Sequence, residues 1–197
     1  MNNKIQLYFA KVLESISADS TPRPKGLSAT ASNKRFREFV SSRKLIEFAL
    51  EVGWQLIEHD DKPPTIHNAD NTLEGSLSIS HSNQWVAIAI APSNIKLGVD
   101  IELINERWTE DKAKIFCSSQ EIEMGLALSK HESNKFFTKI WTQKEAFFKA
   151  TQQPFVARNF NADIRMTSSE HIDGYLYSVY SDPPTEIESK IIDLTSS

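Results

Sequence analysis

From Lys96 to Ile104 the sequence KLGVDIELI sets Leu97, Val99, Ile101 and Leu103 on alternate positions, with Gly98, Asp100 and Glu102 between them. A period of two over a run of this length predicts a β-strand with one apolar face, and it sends both carboxylates to the other face. Two like charges on one strand face either stand in water as a polar outer face or converge where a cation relieves their repulsion. On the strand alone the polar outer face is the favoured reading, because alternating strands with acidic outer faces are common.

A second pattern narrows the choice. In NKFFTKIWTQKEAFFKA, residues 134–150, Phe137, Trp141, Glu145 and Lys149 are spaced by four, with Phe136, Ile140 and Phe147 on the neighbouring stripe. This spacing predicts a helix carrying a carboxylate and an ammonium on one face. A Glu-to-Lys pair in this order on a solvated helix is ordinary and adds only about 0.3 to 0.5 kcal/mol. The flanking Trp141, Phe147 and Phe148 point instead to a buried helix, and buried charges need partners.

The remaining chain mixes strands and helices without a regular βαβ alternation, which favours the α+β class. A strand is expected over residues 4–13, followed by a polar loop with two prolines. Apolar residues recur at helical intervals from Asn33 to Trp54, where Gly53 marks a stop, and this helix carries Arg35, Arg37, Arg43 and Lys44. Residues 58–76 read as turn-rich, and LSISHSNQWVAIAIA reads as two strands joined at Ser82 to Gln84. Helical patterns over 109–150 break near Cys117 to Ser119 and at Lys130, and short strands return around Gly174.

A net charge of -4 and an isoelectric point near 5.8 argue against a dedicated nucleic-acid binder, which needs surplus Lys and Arg. The single cysteine, Cys117, excludes an intramolecular disulfide. His59, His67, His81, His131 and His171 form no cluster with zinc spacing. With no signal-peptide pattern at the start and no apolar run of membrane-spanning length, a cytoplasmic protein is the expectation. No glycine-rich phosphate cradle is present, so any phosphate would be met by side chains, and Arg35, Arg37, Arg43, Lys62 and His81 are the candidates. Each arginine taken singly reads more readily as part of a solvated helix face than as a phosphate contact, and a lone histidine is more often structural. Ser80 or Ser82 beside His81 makes a poor hydrolase site, because there is no GxSxG elbow.

In order along the chain, VSSRKLIEFAL, DKP, SISHS, GVDIE and WTQKEAFFKA resemble the 4'-phosphopantetheinyl transferases, specifically the larger single-chain, surfactin-synthetase-activating type. GVDIE at 98–102, the W-x-x-K-E-A-x-x-K pattern at 141–149 and SISHS at 78–82 are each short, but their order and separation also agree. The chain departs from the family pattern where members read G-K-P, having Asp61-Lys62-Pro63, and at Glu47, where an arginine often follows.

The resemblance implies an α+β fold of two similar halves packed as a pseudo-dimer, 1–95 and 96–197, with coenzyme A and a metal in the cleft between them. It implies transfer of 4'-phosphopantetheine from coenzyme A to a serine of an acyl, peptidyl or polyketide carrier protein, by a monomer. Asp100, Glu102 and Glu145 would hold Mg2+, Glu145 would be the base for the serine hydroxyl, and Lys149 would stabilise departing 3',5'-ADP. Arg35, Arg37, Arg43, Lys62 and His81 would contact coenzyme A. The alternatives are a coenzyme A- or carrier-protein-binding module of the same fold without catalysis, and another magnesium enzyme acting on pyrophosphates.

Overall fold

The structure, a computed structural model, describes residues 4–16, 27, 31–59, 64–70, 72, 74–104, 108–152 and 167–196. Its contacts divide the chain into two compact units, one made of Met1–Ile95 with Thr185–Ser197 and the other of Lys96–Pro184. Both combine helices with largely antiparallel sheet, so the chain is α+β. No helix among the described residues is long and apolar enough to cross a membrane.

The first unit holds β1 (Ile5–Lys11), α1 (Asn33–Ala49), β2 (Trp54–Ile57), β3 (Thr65–Asn68), β4 (Glu74–Ser82) and β5 (Trp85–Pro92). A later strand, Ile187–Ile192, completes its six-stranded sheet. In β5 every residue from Trp85 to Ala91 is buried, as its unbroken apolar run requires of a strand in the middle of the sheet. The turn between β4 and β5 is the two-residue link Asn83-Gln84, with Asn83 at φ 49°, a conformation asparagine tolerates. α1 starts on the Ser32 side chain, which accepts from the Arg35 amide, and packs on β5 and β1 through Phe36, Leu45 and Ile46. It stops at Ala49, earlier than its apolar pattern suggests, and Gly53 at φ 88° serves the turn into β2 instead.

The second unit holds β6 (Lys96–Leu103), α2 (Glu110–Phe116), α3 (Ser119–Leu126), α4 (Lys130–Thr151), β7 (Thr167–Ile172) and β8 (Tyr175–Asp182). Its sheet runs β6-β8-β7, with α4 packed on β6 and β8. The breaks between helices fall at caps: Thr109 opens α2, Ser118 opens α3 in a capping box with Glu121, and Ser129 opens α4. Trp108, Phe116 and Trp141 cluster with ring centroids 4.9 to 5.9 Å apart, Phe116 and Trp141 edge to face and Trp108 tilted against both, and with Phe137 and Ile140 they form the core under α2 and α3.

β9 (Ile187–Ile192) returns to the first unit and pairs parallel with β1, Ile5 opposite Ile187. The segment after residue 184, read above with the second half, thus belongs to the first unit's sheet.

Candidate active site

Asp100 and Glu102 lie on one face of β6, opposite Ser178 and Leu176 of β8. α4 covers that face: Thr142 of the helix meets Ser178 at 2.7 Å, and Lys149 donates to Asp100 Oδ1 at 2.8 Å and to the Val99 carbonyl at 3.0 Å. The contact is close because Gly98 has no side chain. A Cβ there would sit 1.8 Å from the Ala146 carbonyl oxygen, so the helix backbone rests directly on the strand. Glu145 and Lys149, one helical turn apart, are thereby held against the acidic strand face.

The Glu145 carboxyl is raised above the usual carboxylate range, first by burial and then by the negative charge of Asp100; Lys149 opposes the shift and Glu102 adds to it. Asp100 is buried, and Glu102 and Glu145 are half-buried. Three carboxylates on neighbouring strand and helix faces are a donor set of the type a hard divalent cation prefers. They do not converge on one point: among the described residues no set of three or more His, Cys, Asp or Glu is arranged to hold a metal ion. What is closed in the structure is the Lys149–Asp100 ion pair.

Lys144, which the sequence reading left without a role, is also anchored here. Its ammonium is buried, 2.7 Å from both the Phe116 carbonyl and Glu121 Oε2, and the same carboxylate oxygen caps α3 by accepting from the Ser118 amide. The motif at 141–149 therefore divides by task. Trp141 packs against the aromatic core, Lys144 ties α4 to the α2–α3 junction, Ala146 sits on Gly98, and Glu145 and Lys149 face the acids. A long charged side chain on an apolar flank was the only sequence signal for Lys144.

The anion-binding candidates of the first unit separate in the structure. Arg43 is engaged by both carboxylate oxygens of Glu58, 3.0 Å at Nη2, and stacks on Phe39 with 4.0 Å to the ring. Arg37 donates through Nε to the Ile16 carbonyl at 3.0 Å. Arg35 is exposed at the first turn of α1. His81, next to the last residue of β4, has Nδ1 3.4 Å from Oε2 of Glu38, a buried glutamate on α1 that sequence reading missed. Lys62 lies outside the described residues.

A strand with paired carboxylates, backed by a helix that supplies a further carboxylate and a lysine, gathers the kinds of groups that meet a divalent cation and a phosphate-bearing ligand. Residues 96–191, just under half of the 197-residue chain, match the family model of the 4'-phosphopantetheinyl transferase superfamily (ACPS). The matched stretch contains β6, α4 and every acidic residue of the site. It supports a transferase of phosphopantetheinyl groups. No curated protein gives a significant match to the chain.

Proposed function

We propose that this chain transfers the 4'-phosphopantetheine arm of coenzyme A to a serine hydroxyl of an acyl, peptidyl or polyketide carrier protein, releasing 3',5'-ADP. The observation that carries the reading is the docking of Glu145 and Lys149 against Asp100 across the Gly98 contact, inside the stretch that matches the family model.

Glu145 is the base. Burial and its acidic neighbours hold its carboxyl high, so its affinity for a proton is greater than an ordinary surface glutamate's, which suits it to take the serine proton directly or through a water. Lys149 brings positive charge to the diphosphate as 3',5'-ADP departs, and its hold on Asp100 and on the Val99 carbonyl fixes where that charge stands. Asp100, Glu102 and Glu145 would hold Mg2+, which supplies charge neutralisation on the leaving group when bound. His81 and Arg35 are the first-unit groups offered to coenzyme A phosphates, whereas Arg43 is held by Glu58 and Arg37 by a backbone carbonyl.

The test is the intact mass of a purified apo carrier protein after incubation with this protein, magnesium and coenzyme A. A gain of one phosphopantetheine, absent with Glu145→Ala, supports the reading. Coenzyme A binding without mass gain on several unrelated carrier proteins would point to a non-catalytic binding module, and no coenzyme A binding would end the assignment.

A further inference from the structure

We propose that Glu38 is the positioning residue of His81, turning the imidazole so that its second nitrogen serves an anionic phosphate group. The inference rests on the coenzyme A reading for its ligand, and on the geometry of the first unit for the pair itself.

Glu38 lies on the side of α1 that also buries Ser41, Ser42 and Leu45, and only 5% of the residue is exposed. A carboxylate in such a place is costly unless compensated by charge and hydrogen bonds. Two basic side chains approach it. Lys34 Nζ is 3.7 Å from Oε1, but its side chain is 64% exposed and also reaches Asn83 Oδ1 at 3.3 Å, so its hold on the carboxylate is that of a solvated surface pair. His81 Nδ1 is nearer, 3.4 Å from Oε2, and its ring is 31% exposed.

The two side chains are presented by rigid elements. His81 stands opposite Val86 in the β4–β5 ladder, two residues from the Asn83-Gln84 turn, and α1 packs on β5. An imidazole is oriented by whatever its first nitrogen meets, and that partner also decides what the other nitrogen offers. With Nδ1 turned to a carboxylate, Nε2 lies on the opposite edge of the ring. Both nitrogens donate only in the imidazolium form, whose charge Glu38 balances, and that is the form which donates to a phosphate oxygen. Glu38 makes no contact with the ligand in this scheme; it acts through the histidine.

Two readouts test the pair separately from the reaction. In the first, long-range 1H–15N spectra of the histidine rings are compared for the parent, Glu38→Gln and His81→Gln, the last assigning the His81 signals. The expected result is a protonated Nδ1 on His81 that Glu38→Gln alters, with the other four histidines unchanged as a check of the fold. Unaltered His81 signals in Glu38→Gln would overturn the pairing, whatever the enzyme does. In the second, coenzyme A affinity and transfer kinetics are measured for the two variants and their double. Glu38→Gln is expected to weaken coenzyme A about tenfold, in Kd and KM, with kcat within about twofold, and to add nothing once His81 is already Gln. An equal loss in both backgrounds would show a merely structural glutamate and sink the proposal. An altered ring signature in a parent protein that does not bind coenzyme A would leave Glu38 orienting His81 but refute the phosphate ligand and the functional reading with it. Should Glu38→Gln fail to fold, Glu38→Asp, which keeps the charge and withdraws it from the ring, is read the same two ways.

Discussion

The place an alanine Cβ would occupy on Gly98 lies 1.8 Å from the carbonyl oxygen of Ala146 and 2.9 Å from the amide nitrogen of Ala150. Backbone atoms of a helix cannot step aside as a side chain tip can. Gly98→Ala is therefore expected to push α4 off β6 and to cost about 3 kcal/mol or more, visible as a fall in the urea midpoint. A variant with parental stability would mean that the strand and helix are farther apart than described.

Lys144→Met should destabilise by about 3 kcal/mol, because it removes a buried ammonium and leaves the half-buried Glu121 without its cation. Adding Glu121→Leu should return part of this loss, since an apolar pair needs no counter-charge, although the α3 capping box goes with it at about 1 kcal/mol. Denaturant titration of the two singles and the double decides. Independent, additive losses would contradict the ion pair.

Glu145 gives a pH signature. Its folded carboxyl binds a proton more tightly than the unfolded one, so between the ordinary value of 4.5 and the raised value the native state holds more protons, and stability falls as pH rises. Glu145→Gln removes that titration. In metal-free buffer the variant is expected to be the more stable form above this interval, with the difference shrinking as pH drops through the ordinary carboxylate range. Urea midpoints of both proteins across that range measure it; a difference independent of pH would assign the site a different electrostatic balance.

Cys117 should be chemically quiet. Burial, and next the charge of Glu121, push its thiol up to about 12, with Lys144 pulling the other way, and the residue is 3% exposed. At mildly alkaline pH a maleimide is expected to label it only after unfolding in urea. Rapid labelling of the native protein would show that the α2–α3 junction opens.

Arg35→Gln and Arg43→Gln should differ in kind. Arg43 is tied to Glu58 and Phe39, so its loss is expected to lower stability, whereas loss of the exposed Arg35 should weaken coenzyme A binding with little change in the melting temperature. Calorimetric titration beside a thermal melt separates the two. The reverse pattern would transfer the phosphate contact to Arg43.

Much of the site's framework could be read from spacing. Alternation in β6 put Asp100 and Glu102 on one face, and the four-residue interval on α4 put Glu145 and Lys149 one turn apart, because these depend only on the local geometry of strand and helix. The two-residue turn at Asn83-Gln84 was legible for the same reason. β3 was not. Its four residues, Thr65 to Asn68, sit among prolines and aspartates, and only pairing with β2 and β4 makes them a strand. β9, with Glu188, Ser189 and Lys190 in its middle, lies at the sheet edge beside β1, where polar side chains are acceptable. The partners of Arg43 and His81 were equally hidden: Glu58 and Glu38 are brought to them by tertiary packing, and no local pattern marks a buried glutamate.

The pairing of β9 with β1 also sets an order of assembly. Residues 96–184 are contiguous, so everything their unit requires has been synthesised once Pro184 has been added. The other unit begins first and closes last: Lys4 meets Glu186 across 182 positions, and β1 has one edge open until that segment arrives. Loop-closure entropy rises only slowly with length, and the already folded stretch between shortens the effective loop. The acidic strand and its helix are thus complete in sequence before the first-made strand of the other unit can meet its last.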